Sequence, residues 1–155
     1  MLVKYKQDYE KIALGLLSFT PDLKDFNHLS AELANYVSDS TLELDLWRDA
    51  HGDIVGIVGF EIADDYILLR HLAFTPDFRT KKNAFEVLDA LKRKFNDKRL
   101  MATVSLTEIV SAWERQQAAS DSDQSESAVD PKAPTPSLPD AKDNSSDSTN
   151  VANQD

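Results

Sequence analysis

Tyr66–Phe74, YILLRHLAF, runs directly into Thr75–Ala84, TPDFRTKKNA. The first segment is apolar enough to predict a strand, and Thr-Pro-Asp after it is turn chemistry. Ala84, Leu88, Leu91 and Phe95 then recur at helical spacing, so the basic loop leads into an amphipathic helix. Arg79, Lys81 and Lys82 therefore stand at or just before a helix N-terminus. The helix dipole favours anions there, and each exposed cation costs about 0.3–1 kcal/mol. Together with the unpaired N–H groups of a first helical turn, these cations make a site for a multiply charged anion such as a phosphate or pyrophosphate. The plain alternative is a set of solvated lysines screened at cellular salt. Lys92, Arg93, Lys94, Lys98 and Arg99 lie at the opposite end of the helix, where cations suit the dipole and call for no ligand.

Upstream of this unit, Ile54–Ile62 is nearly all apolar and Thr41–Arg48 alternates Leu42, Leu44 and Leu46 with polar residues. Short turns at Asp49–Asp53 and Ala63–Asp65 join these runs to Tyr66–Phe74, which predicts a three-stranded antiparallel meander. Met1–Tyr5 suits a short opening strand. Tyr9, Ile12, Leu16 and Phe19 share one helical face, and Phe26, Leu29, Leu33 and Tyr36 share another, with Thr20 expected as the N-cap of the second helix and Pro21 at its first position. Downstream, Leu100–Val104 predicts a last strand, and Ser105-Leu106-Thr107-Glu108 is a capping-box sequence opening a helix with Leu106, Ile109, Val110 and Trp113 on its apolar side. The expected order is β-α-α-β-β-β-α-β-α, an α/β (α+β) fold.

The 155-residue chain carries 17 Lys+Arg against 27 Asp+Glu, a net charge of −10, with no cysteine. The charge is unevenly spread. Residues 120–155 hold eight acids against Lys132 and Lys142, with eight serines and four of the six prolines, so they carry −6 and residues 1–119 only −4. Residues 1–119 are expected to form one domain, and 120–155 a disordered acidic tail with too little apolar surface to offset the entropy of ordering. The absence of cysteine excludes disulfides, thiolate metal sites and a cysteine nucleophile. No apolar run approaches the roughly 20 residues of a membrane span. Asp8 and Glu10 interrupt the basic N-terminal region, which reads as an amphipathic helix and not a signal peptide. A cytoplasmic protein with neither membrane nor nucleic acid as partner is the expectation.

The order of elements, with a strand, a basic loop and a helix in its second half, resembles the GCN5-related N-acetyltransferase (GNAT) fold. That family's loop has the form Arg/Gln-x-x-Gly-x-Gly/Ala, and the stretch here is Arg79-Thr80-Lys81-Lys82-Asn83-Ala84. The opening LVKYKQDYEKIALGLLSFTPDLKDF, with DALKRKF and LTEIVSAWERQ, is similar to a narrower group of small GNAT-like proteins encoded with riboflavin-biosynthesis genes in Firmicutes. The likeness spans about residues 1–117. It implies a mixed, mostly antiparallel sheet with helices on both faces, in which Tyr66–Phe74 splays from the last strand. It further implies acetyl-CoA or a related acyl-CoA as donor and an amine as acceptor, with direct transfer and no metal. The cofactor's pantetheine arm would bond the backbone near Leu72, Ala73 and Phe74, and its pyrophosphate would meet Arg79, Thr80, Lys81, Lys82, Asn83 and Ala84.

Three departures accompany the resemblance. Lys82 stands at the family's glycine; Trp113, whose indole N–H is no acid near neutral pH, stands where many members carry a tyrosine general acid; and the final strand pair is missing, so the fold is expected to be truncated. These departures motivate a second reading, a non-catalytic CoA-binding or protein-interaction module regulating flavin biosynthesis. They also leave room for a homodimer whose partner completes the pocket. Glu61, the acid inside an apolar strand, and His71, beside the expected cofactor, are the candidate catalytic bases. Each also has a simpler reading, Glu61 as an edge or ion-paired acid and His71 as a hydrogen-bonded strand residue. His28, His51 and His71 show no metal-ligand spacing, so no metal is expected.

Overall fold

The computed structural model describes residues 1–129, with side chains to Ser122. Its elements are β1 (Leu2–Lys4), α1 (Glu10–Leu17), α2 (Phe26–Ser38), β2 (Leu42–Arg48), β3 (Ile54–Ile62), β4 (Tyr66–Phe74), α3 (Lys81–Lys94), β5 (Arg99–Ala102) and α4 (Thr107–Val129). The order matches the expected one. Short 3₁₀ turns at Gln7–Tyr9, Pro21–Leu23, Pro76–Phe78 and Val104–Leu106 punctuate it.

The five strands form one sheet in the order β1-β2-β3-β4-β5. The first three pairings are antiparallel and β4–β5 is parallel, as the α3 crossover requires. Helices cover both faces. On one, Ala13, Leu16 and Leu17 of α1 and Leu29, Leu33 and Tyr36 of α2 pack on Leu44, Leu46, Ile57 and Ala73. On the other, Ala84, Val87, Leu88 and Leu91 of α3 with Val110 and Trp113 of α4 pack on Val58, Phe60, Ile67, Leu69 and Phe74. Because β3 and β4 sit mid-sheet, both their faces are buried, which explains their almost unbroken apolar runs.

Some local expectations change. The second helix does not start at Thr20. Pro21–Leu23 forms a separate 3₁₀ turn, the Thr20 hydroxyl donates to the Leu17 carbonyl, and Asp25 is the N-cap, accepting from the His28 amide at 3.2 Å. With the helix starting there, Phe26 lies outside the buried stripe and is 66 % exposed. The last helix opens at Thr107, one residue later than a Ser105 N-cap implies, because Val104–Leu106 forms a 3₁₀ turn of its own.

Asp45, on the α3 face of β2, is fully buried. Lys94 at the end of α3 holds it at 2.9 Å and Glu43 at 2.8 Å. Burial pushes the Asp45 carboxyl up despite Lys94. For Glu43 the bonds from Lys94 and Lys4 together outweigh burial and hold it below its usual range. Two other cations of this helix end are similarly absorbed: Lys92 donates to the Lys98 carbonyl, and Lys98 to the carbonyls of Ala63 and Asp64.

The chain divides into two units, Met1–Glu114, which contains the whole sheet, and Arg115–Asp155. The described part of the second is the remainder of α4, helical to Val129 and so continuing past the expected boundary at 119/120. The expectation of disorder beyond Val129 lies outside the described residues. Among the described residues no helix is long and apolar enough to cross a membrane.

Candidate functional site

The sheet opens between β4 and β5. Their parallel pairing covers only Tyr66–Leu69 against Arg99–Ala102, and the last bond runs from the Thr103 amide to the Leu69 carbonyl at 3.0 Å. After Thr103 the chain turns into the Val104–Leu106 3₁₀ turn, while β4 continues for five more residues, Arg70–Phe74, without β5 beside it. The register against β3 also slips here, with Gly59 opposite His71 but Phe60 opposite Leu69, so Arg70 is the extra residue of a bulge. The Thr75 amide bonds the Val55 carbonyl at 2.9 Å. By alternation, the backbone of Ala73 also faces β3, whereas that of Leu72 and Phe74 faces the opening. Of the three backbone candidates, then, Leu72 and Phe74 present polar groups there and Ala73 does not. Arg79 already donates to the Phe74 carbonyl at 3.3 Å.

The basic loop is a 3₁₀ turn followed by a capped helix. The amides of Phe78, Arg79 and Thr80 are used within the turn. Thr80 is the N-cap of α3, its hydroxyl accepting from the Asn83 amide at 3.1 Å, and the Asn83 side chain donates to the Phe78 carbonyl at 2.8 Å. The Ala84 amide bonds the Thr80 carbonyl. That leaves the Lys81 and Lys82 amides with no partner among the described residues, both opening the helix and both on exposed residues. The three cations differ in freedom. The Arg79 guanidinium lies 5.0 Å from the centroid of the Phe19 ring, between α1 and α2, as well as on Phe74. Lys81 lies 5.7 Å over Phe85. Lys82 needs no glycine-like backbone, since the only positive φ among the described residues is at Gly52. Ala84 is buried against the core, where a larger residue would lift α3 from the sheet.

On the other face of the opened segment, a polar cluster joins α2 to β4. The His71 Nδ1 is 2.6 Å from the Tyr36 hydroxyl. Arg70 Nη2 donates to Glu32 Oε2 at 2.7 Å, and that oxygen is 3.8 Å from His71 Nε2. Tyr36 reaches through the place a side chain would occupy at Gly59, where a Cβ would overlap its hydroxyl and ring edge. Burial pushes the His71 imidazole below its ordinary value, outweighing the upward pull of Glu32, and Arg70 adds to the lowering. Burial raises the Tyr36 phenol well above its own. Tyr36 was legible in the sequence only as a core position of its helix; nothing in its spacing pointed to His71, 35 residues away.

The remaining candidates sit elsewhere. Glu61 is in register with Leu68, inside the section of β4 still paired to β5, so it is not in the opening. Trp113 is buried between α3 and the sheet, and its indole donates to Asp89 Oδ1 at 2.8 Å. No group of three or more potential metal-ligating side chains occurs among the described residues.

An open β4–β5 edge leading into a capped, basic helix start defines the class: a fold shared with N-acetyltransferases. Among solved structures, it is similar to a histone acetyltransferase HPA2-related acetyltransferase from Corynebacterium glutamicum (TM-score 0.59, 13 % identity, 75 % of this chain and 82 % of that one). It is likewise similar to the aminoglycoside N-acetyltransferase AAC(6′)-Iy in complex with CoA (TM-score 0.58, 16 % identity, 76 % and 84 %). No family model matches the chain. A sequence relative does: over 102 residues the chain is 33 % identical to an uncharacterized N-acetyltransferase of the lysA 3′ region of Bacillus methanolicus, covering 65 % of this chain and 84 % of that protein. The chain belongs to the GNAT family of N-acetyltransferases.

Proposed function

We propose that the protein binds an acyl-CoA, acetyl-CoA first among them, along the opened edge of β4 and transfers the acyl group directly to an amine. The observation that carries this reading is the opening itself, which ends on the two unpaired amides of Lys81 and Lys82 at the start of α3. The parts suit such a ligand. The Leu72 and Phe74 backbone offers amide-type partners, and the α3 N-terminus with Lys81 and Lys82 offers donors and positive charge for a pyrophosphate. The name of the Bacillus relative and the CoA complex of AAC(6′)-Iy support the same assignment. The likeness of the N-terminal segment to riboflavin-operon proteins supports a role in flavin metabolism.

Calorimetry with acetyl-CoA and with desulfo-CoA tests the donor site; absence of binding by both at sub-millimolar concentration overturns the reading. Release of free CoA thiol across a panel of amines, including amine intermediates of flavin synthesis, then tests transfer. A second reading, a CoA-binding module without catalysis, is favoured by Trp113, which is turned into the core at the position where many members carry an acid. Tight binding with no thiol release from any amine selects it.

A further inference from the structure

The cluster on the α2 side of the opening has an order that packing alone does not require. His71 sits one residue past the bulge at which β5 leaves β4. Its Nδ1 is held by Tyr36, while its Nε2 makes no hydrogen bond. Nε2 lies 3.8 Å from Glu32 Oε2, beyond hydrogen-bond distance, on a side chain that is 7 % exposed. One ring nitrogen is fixed by a hydrogen bond within the protein, and the other has only this longer ionic contact, on the strand segment that β5 leaves unpaired.

The groups facing this ring form a consistent set. From α2 come the Tyr36 hydroxyl, which accepts a proton-bearing Nδ1–H or donates to a bare Nδ1, and the Glu32 carboxylate near Nε2. From its own strand comes Arg70, which clamps Glu32 and stacks 5.3 Å over the Tyr36 ring. From the Pro21–Leu23 turn Asp22 contributes negative charge felt by both Tyr36 and His71. Two carboxylates against one guanidinium favour a cationic visitor. Gly59 makes the Tyr36–His71 contact sterically possible.

We propose that His71 Nε2 is the proton acceptor for the amine substrate, with Tyr36 and Glu32 as positioning residues that orient the imidazole and stabilise its protonated form. This rests on the transferase reading above. The substrate class is a primary amine that arrives as an ammonium ion on the α2 side of the opening, opposite the helix that would hold the donor. Nε2 takes one proton from the ammonium. The freed nitrogen lone pair forms the C–N bond to the thioester carbonyl carbon, and the C–S bond breaks with its electron pair leaving on sulfur. The second proton lost by that nitrogen ends on the thiolate, and the imidazolium returns its proton to solvent. In the protonated ring Nδ1–H is donated to Tyr36, and Glu32 offsets the charge. Burial keeps the ring neutral near pH 7, ready to accept.

The test uses the full chain with acetyl-CoA and three amines: spermidine, an aminoglycoside and a peptide with a free N-terminal alanine. His71→Gln is expected to lower kcat by about 10²–10⁴-fold while leaving acetyl-CoA affinity by calorimetry unchanged. Glu32→Gln, a near-isosteric change at a partly exposed position, should move the acid limb of the pH–kcat/KM profile to lower pH, because a group that raises the imidazole's pKa is removed. Tyr36→Phe should lower kcat with little change in KM for the donor. Wild-type kcat in His71→Gln, or an unmoved acid limb in a folded Glu32→Gln, overturns the inference and leaves the transferase reading intact. Absence of acetyl-CoA binding, or binding without transfer to any amine, overturns the transferase reading and this inference with it.

Discussion

The Tyr36 hydroxyl and the His71 Nδ1, 2.6 Å apart, join the middle of α2 to β4 just beyond the point where β4 loses β5. The contact crosses β3 at Gly59. It links a helix that packs the core to the segment of strand that remains open, and it brings the neighbouring Glu32–Arg70 pair to the same place.

Gly59→Ala should be strongly destabilising. The added methyl meets the Tyr36 hydroxyl and ring carbons, and overpacking of this kind costs about 1–3 kcal/mol. Urea denaturation measures it. Tyr36→Phe in the same background should not restore stability, because ring carbons crowd the site along with the oxygen; full recovery would show that the clash is with the hydroxyl alone.

Stability should fall on mild acidification through His71. Its folded pKa is depressed below the unfolded value of 6.5, so the unfolded state takes up the proton first. The contribution is complete above pH 6.5, declines as pH drops below that value, and is gone once pH passes the folded pKa. Melting temperatures of wild type and His71→Gln across this window should converge as the solution becomes more acidic, and a constant gap would contradict it.

Lys94→Met should destabilise the protein by about 1–3 kcal/mol, less than the 3–5 of a fully buried broken pair because Lys94 is partly exposed. The substitution leaves the Asp45 carboxylate buried without its cation. Asp45→Asn added to it should recover part of the loss, measured in a double-mutant cycle by chemical denaturation. Additive losses would mean that the two side chains do not depend on each other.

Lys81→Ala with Lys82→Ala should weaken acetyl-CoA binding by about tenfold or more and flatten its dependence on salt, since exposed cations act on a bound polyanion through screened charge. Arg79→Ala should cost melting temperature as well as affinity, because Arg79 also holds the Phe74 carbonyl and packs on Phe19. Isothermal calorimetry at two ionic strengths, with thermal melts alongside, separates the two effects. Equal affinity of the double variant and wild type at low salt would place the anion site elsewhere.

Hydrophobic period and turn chemistry were enough, from the residues alone, to order the nine elements, to bound β3 and β4, and to set a cluster of cations at the start of α3. Those signals are local: alternation, 3.6-residue spacing and a proline after threonine act over a few residues. Tertiary structure decided the rest. It moved the α2 N-cap from Thr20 to Asp25, because Pro21–Leu23 closes its own 3₁₀ turn and the Thr20 hydroxyl turns back to Leu17. It separated Glu61 from His71, since only where β5 ends does β4 have a free edge. It tied Arg79 into the fold and left Lys81 and Lys82 with the unpaired amides. The meeting of Tyr36, Glu32, Arg70 and His71 depends on the register of β3 with β4 and on the seat of α2 over Gly59. These are non-local contacts that no spacing along the chain encodes.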